Sequence, residues 1–264
     1  GSNITLGWKK RNAFRAGEIF YIDATGGFEV QFGGQFKGYN TFRAGLEAGI
    51  SFPRFIVPFK LHTRRGGFIP RTNVKAGFDL YTKSKLYTLN SYSSSIEYAW
   101  KNSAETEHKL SPLVFTYTQP SSVSEEYKDS IKNNPTLANT IIPQFTIGPE
   151  YNFNYNEILT NIFKNGMYFN AKLDMSGNIL GLISGADVLE GKPKRLFGSV
   201  YSQYIKSEFD YRYYWKLSKW KVWVNRIDIG VSYPYGNSVS LPYVKQFFAG
   251  GSNSLRAFRA RSVG

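Results

Sequence analysis

Few residues in this chain are equipped for covalent chemistry. There are two histidines. His62 lies in the basic connection 60–65, and His108 follows Glu105-Thr106-Glu107. An imidazole near neutral pH can move a proton or bind a metal. His62, however, has no acidic neighbour in sequence, and His108 has only Glu105 and Glu107 to pair with. A metal would need a third ligand brought in by the fold, so both read as exposed loop histidines. With no cysteine there is no thiolate nucleophile, disulfide or Cys-based metal site. No G-x-S-x-G turn is present. Gly26-Gly27 and Gly33-Gly34 do not open a helix, so they read as strand-bend and hairpin glycines rather than phosphate loops. No catalytic, metal or cofactor residue is assigned, and the chain is expected to be no enzyme and to need no cofactor.

Charge offers more than nucleophilicity does. Lys206, Glu208, Asp210 and Arg212 alternate along one segment, and Arg226 and Asp228 lie on the next. Alternate strand residues share a face, so these six form a mixed-charge ladder suited to cross-strand ion pairing in a wet interior. A sharper reading is that the ladder holds a plug or loop. The second candidate is Arg256, inside Gly250-Gly251-Ser252-Asn253-Ser254-Leu255-Arg256-Ala257-Phe258. Its guanidinium is a planar fork that can grip a carboxylate bidentately. Judged alone, the stretch reads equally as a solvated loop arginine.

The elements that must position these charges are strands. In 41–52, Phe42, Ala44, Leu46, Ala48, Ile50 and Phe52 fall on one face, against Arg43, Glu47 and Ser51 on the other. In 204–215, Ile205, Phe209, Tyr211, Tyr213 and Trp215 oppose the charged ladder. The same alternation runs over 20–32, 74–80, 145–155 and 167–176, and more weakly over 4–11, 86–100, 110–118 and 220–235. That predicts about ten strands, several longer than the usual five or six residues. Only 122–134 looks helical; it is polar and flanked by Pro120 and Pro135.

Alternation by itself fits either a soluble barrel or sandwich with its apolar face inside, or a transmembrane barrel with that face outside. Three features favour the membrane. Trp8, Tyr98, Trp100, Trp215, Trp220, Trp223 and Tyr233 sit on apolar faces near strand ends, as an interfacial girdle requires. Connections at 12–17, 103–107 and 216–219 are tight while 120–140 and 178–199 are long, although 52–71 is long where a short turn is expected. No apolar helix is available to pack the sheet. Aromatics make up 17% of the 264 residues, yet no run of about 18 apolar residues exists. The net charge of +14 is spread along the chain rather than clustered. That disfavours nucleic-acid binding and suits a barrel interior and rims facing anionic headgroups. No signal peptide is visible, since 1–5 already reads as the start of a strand.

Three stretches resemble the BamA/TamA superfamily of outer-membrane-protein assembly factors (bacterial surface antigen barrels). The tail Phe248-Ala249-Gly250-Gly251-Ser252-Asn253-Ser254-Leu255-Arg256-Ala257-Phe258 is similar to the family's folded-back loop. The family pattern is Val or Ile followed by Arg-Gly-Phe, and Ala257 here replaces the Gly. Residues 11–18 resemble the family's tight second turn, and Phe52-Pro53-Arg54-Phe55 its Pro-Phe closure. The texture of loops and strands is most similar to the Bacteroidetes members. The resemblance implies an all-β fold, a transmembrane antiparallel β-barrel of which about ten of roughly sixteen strands lie in this chain. Residues 1–264 would be a partial barrel domain and 236–264 the start of the lumen loop, with periplasmic repeats and last strands absent. It implies an integral protein of the bacterial outer membrane that inserts β-barrel proteins through an opening seam. Its partners would be unfolded outer-membrane proteins, the bilayer with its lipopolysaccharide, and accessory lipoproteins or an inner-membrane partner, with no nucleic acid. The loop motif would be Gly250, Gly251, Ser252, Leu255, Arg256, Ala257 and Phe258. A passive porin or transporter, or a rim-located outer-membrane protease, are the alternatives.

Overall fold

The computed structural model describes residues 2–30, 40–58, 68–133, 138, 140–159, 165–188, 191, 193–196 and 198–250. Over them the period-two pattern becomes strands in chain order. These are β1 (Ser2–Arg11), β2 (Ile19–Glu29), β3 (Thr41–Phe52), β4 (Arg71–Lys83), β5 (Tyr87–Lys101) and β6 (Thr106–Val123). After them come β7 (Gln144–Asn156), β8 (Gly166–Ser176), the two-residue β9 (Arg195–Leu196) and β10 (Ser199–Val200), β11 (Tyr204–Ser218) and β12 (Lys221–Pro234). All but β9 and β10 form one sheet of ten strands, in the order β1 to β8, then β11 and β12, each antiparallel to its neighbours. The ten strands expected from sequence are these ten. They run 10 to 18 residues, enough for the roughly 9–11 tilted residues that cross a bilayer core.

Register keeps the two faces distinct across the sheet. Leu6, Ala24, Leu46, Phe78, Tyr92, Tyr117 and Phe145 stand in one row from β1 to β7. The adjacent row is Gly7, Asp23, Glu47, Gly77, Ser93, Thr116 and Thr146. Burial then decides what alternation left open. Ser95, Thr118, Thr146, Asp174 and Lys206 of the polar face are buried, whereas Leu6, Leu46, Leu113, Ile227 and Val231 of the apolar face are exposed. The sheltered face is the polar one. A soluble barrel or sandwich does the reverse, and so large an exposed apolar surface is stable only against lipid or a partner.

β6 carries a bulge near its middle that shifts this phase. Ser111 pairs with Glu150 and Val114 with Gly148, leaving Pro112 and Leu113 opposite Pro149. A proline cannot donate to the ladder, so both prolines sit at the bulge. Beyond it the apolar face passes from even to odd residues, from His108 and Leu110 to Phe115 and Tyr117. That change of phase falls inside 110–118, which is why the alternation there is weak, and the strand itself runs further, over Thr106–Val123.

Connections differ between the two ends of the sheet, although residues 84–86 join β4 to β5 tightly at the long-loop end. Tight turns join β1 to β2, β5 to β6 and β11 to β12, while β6 to β7 and β8 to β11 cross at the opposite end through long segments. Helix α1 (Glu125–Asn133) fills the first of these, close to the expected 122–134; the Ser124 hydroxyl accepts from the Tyr127 N–H at its start. Helix α2 (Asn178–Ser184) and the β9–β10 pair fill the second. The Asn237 amide donates to the carbonyls of Lys194 and Tyr201 and its oxygen accepts from the Lys194 N–H, tying that segment to the turn after β12.

Candidate functional site

The polar face of β8, β11 and β12 collects charge because Lys172, Asp174, Lys206, Glu208, Asp210, Arg212, Arg226 and Asp228 occupy alternate positions there. Asp210 is one hub. Arg212 donates to it from Nε at 3.0 Å and from Nη2, and Arg226 donates from Nε at 3.2 Å and Nη2 at 3.0 Å. Arg226 also reaches Asp228 at 2.8 Å, and the Arg212 guanidinium lies 5.0 Å from the centre of the Tyr168 ring. Nearer the long-loop end, Lys206 pairs with Glu208 at 2.5 Å. All six residues of the ladder share one face, in two groups: Arg212, Asp210, Arg226 and Asp228 form one, and Lys206 with Glu208 the other.

The structure adds members that sequence reasoning did not assign to the site. Lys172 pairs with Glu150 at 3.0 Å. The Tyr204 hydroxyl donates to Asp174 at 3.3 Å, and Lys245 Nζ donates to the same carboxylate at 2.6 Å. Lys245 belongs to the short 3-10 turn Tyr243–Lys245 that follows β12, so the chain has doubled back over the polar face. Phe247 completes the contact. Its ring lies 4.4 Å from Lys206 Nζ and rests on Gly230 of β12, where a Cβ would overlap it. A polar cavity of about 300 Å³ remains between Lys172, Asp174, Lys206, Glu208, Val244 and Lys245. Asp174 and Lys172 alternate visibly on their strand and could have been found by extending the ladder across the sheet. Lys245 and Phe247 fall within 236–264, the stretch expected to start the lumen loop, but no period exists there to single out these two side chains.

Of the loop motif, Gly250 is described, with φ of 97°. Gly251, Ser252, Leu255, Arg256, Ala257 and Phe258 lie outside the described residues, as does His62. His108 departs from its expectation. It is a strand residue, stacked on Trp100 at 4.9 Å, with one ring nitrogen 2.8 Å from the Tyr151 hydroxyl and the other 3.0 Å from the Asn102 amide. Strand β6 begins two residues earlier than His108, which turns the imidazole onto the aromatic apolar face rather than into a loop. Among the described residues no three His, Asp or Glu side chains gather as a metal ion would require.

A second cluster joins the two shorter sequence signatures. The tight turn after β1 packs Gly17, at φ of 83°, against Pro53, and Glu18 against Arg54 at 3.4 Å. Glu18 is buried, and its carboxylate accepts the Ala16 N–H at 3.0 Å. Burial alone would raise its pKa. The backbone N–H groups of Glu18 and Ala16, with the Arg54 charge, outweigh that and hold it below the ordinary value. Stretches that are weak signals separately are thus one physical unit.

The family model for the Omp85 superfamily domain matches residues 4–264. The chain belongs to the Omp85 superfamily. Comparison with curated proteins gives no match. Omp85 proteins are outer-membrane β-barrels involved in inserting or secreting outer-membrane proteins, together with accessory partners. The sheltered polar face and exposed apolar face are those of such a barrel, of BamA/TamA type, with polar side chains on the lumen side and lipid outside.

Proposed function

We propose that this Omp85 barrel assembles β-barrel proteins into the bacterial outer membrane, and that the segment from residue 236 onward is a loop latched onto the lumen wall. The observation that carries the reading is the doubled-back Lys245. It pairs with Asp174 while Phe247 rests on Gly230, immediately before the Leu255-Arg256-Ala257-Phe258 motif. An insertase needs a fixed lumen element against which a seam can open, and the doubled-back segment supplies one. The substrate step is strand pairing: an incoming chain adds its edge to an unpaired barrel edge and gains main-chain hydrogen bonds in order. No bond is made or broken, so neither cofactor nor nucleophile enters. Arg256 supplies a second, bidentate latch to a carboxylate on the wall. Accessory lipoproteins or an inner-membrane protein would deliver the unfolded chains.

The test is reconstitution of the full-length protein in liposomes with an unfolded barrel substrate, reading folded product by gel mobility. Arg256→Ala is expected to slow insertion by at least about tenfold. Large ion conductance that is indifferent to Arg256→Ala, with no insertion defect, would establish a passive pore instead.

A further inference from the structure

The connection between β3 and β4 is long at the end where the other turns are short, and its first part lies on the lipid-facing side of the sheet. Phe55 stands edge-on to Tyr98 at 5.9 Å and to Trp100 at 6.0 Å. The Tyr98 hydroxyl donates to the Ile56 carbonyl at 2.8 Å. Thr72 fixes the same stretch, donating to the Arg54 carbonyl at 2.8 Å and accepting from the Ile56 N–H at 3.0 Å. The segment is thus pinned at both ends of the three-residue span 54–56, and Val57 and Pro58 overhang β5 and β6.

Beneath this overhang lies a hollow of about 550 Å³, within the range of roughly 300–1,000 Å³ typical of small-molecule sites. Val57 and Pro58 form one wall, Tyr98 and Trp100 the floor, and Leu110 and Pro112 the other wall. Pro112 belongs to the β6 bulge, so the irregular strand opens the space that the overhang roofs. The lining is almost wholly apolar, and the Tyr98 hydroxyl is already committed to Ile56. Among the described residues the lining offers nothing to orient a peptide or a polar ligand.

We infer that this hollow holds an acyl chain of a phospholipid from the leaflet on the short-turn side. Two features select that occupant. The hollow is continuous with the outward apolar face, so in the membrane its mouth opens onto lipid. It also stands at the level of the tryptophans: Trp100 lines it, and Trp8, Trp215 and Trp223 lie at the same end of their strands. Such rings mark the boundary between headgroup and hydrocarbon. A chain entering there keeps its glycerol and headgroup in the polar layer. Trp100, backed by the stacked His108 ring, is a rigid floor rather than a side chain that could swing in to fill the space. The inference needs the membrane face of the barrel but not the assembly reading.

The full-length protein is reconstituted in phosphatidylethanolamine/phosphatidylglycerol liposomes with a phosphatidylethanolamine carrying a photoactivatable acyl chain. Labelling is expected to concentrate on peptides 55–58 and 98–112. Val57→Trp, which fills the hollow from a connection rather than a strand, should cut that labelling about tenfold and leave labelling of β3 unchanged. Heat-dependent gel mobility confirms that the variant is folded. Labelling spread evenly along the outer face, or unaltered by Val57→Trp, overturns the inference. A photo-crosslinker placed at Val57 gives the complementary reading: a phospholipid adduct supports it, and a polypeptide adduct or none overturns it.

Discussion

Asp174 shows how one side chain can anchor a long segment. Its carboxylate is about nine-tenths buried and is held by Lys245 and Tyr204, with Lys172 and Glu150 alongside. Removing Lys245 leaves a sheltered carboxylate short of its closest donor, at a cost of about 1–3 kcal/mol. Lys245→Ala and Asp174→Ala should therefore each lower stability to urea, and the double variant should lose less than their sum. Equilibrium unfolding of the full-length protein in detergent, set out as a double-mutant cycle, measures the coupling. Glu18 makes a prediction in pH. Its folded pKa lies below 4.5, so its contribution is present above that value and disappears as pH falls through the folded pKa. Glu18→Gln should lower the melting temperature at neutral pH and flatten the loss of stability that the native protein shows on acidification. A variant with an unchanged acid limb would show that the Arg54 and Ala16 contacts carry no net stability. At this scale the ladder was legible because charge and strand period coincide in Lys206 to Arg212. Lys245 and Phe247 were legible only as members of the folded-back stretch 236–264, because no period after β12 tells which side chains meet the faces of β8 and β12.

At the scale of elements, strands are the part that sequence conveys best. An uninterrupted period of two, as in Phe42 to Phe52, states both the strand and its two faces, while burial decides which of them is sheltered. Legibility fails where the period is broken physically: Pro112 and Leu113 shift the phase of β6, and α2 is too short for its pattern to separate from its surroundings. That helix shows Ile179, Leu182 and Ile183 to solvent while Gly181 is buried against Gln203. Glycines on strands carry a distinct message, since several mark places where another side chain lies flat on the wall. Gly230→Val should displace Phe247 and loosen the segment after β12, while Gly26→Val, which has open space around it, should not. Limited proteolysis of folded full-length protein is the measurement: new cleavage within 235–250 is expected for the first variant only. Protection of 235–250 in both would mean that Phe247 does not hold the segment.

For the molecule as a whole, the two ends of the sheet differ in chemistry. Trp8, Trp100, Trp215, Trp220 and Trp223 all lie within or beside the short-turn ends of their strands, and the long-loop end has none. In liposomes, tryptophan emission should be quenched most by lipids brominated close to the headgroup and least by those brominated at the acyl terminus. The opposite order would place this end of the barrel in the hydrocarbon centre and refute the girdle. The lysine after β12 has a further consequence. Asp174, Lys206 and Gly230 come from three strands, yet Lys245 and Phe247 meet them together only if all three strands present the same parity. A one-residue slip between any pair would turn its contributor toward lipid. Closing the latch therefore amounts to a parity check on β8, β11 and β12, made by the segment that follows β12. A misaligned barrel would announce itself by a loop that cannot settle.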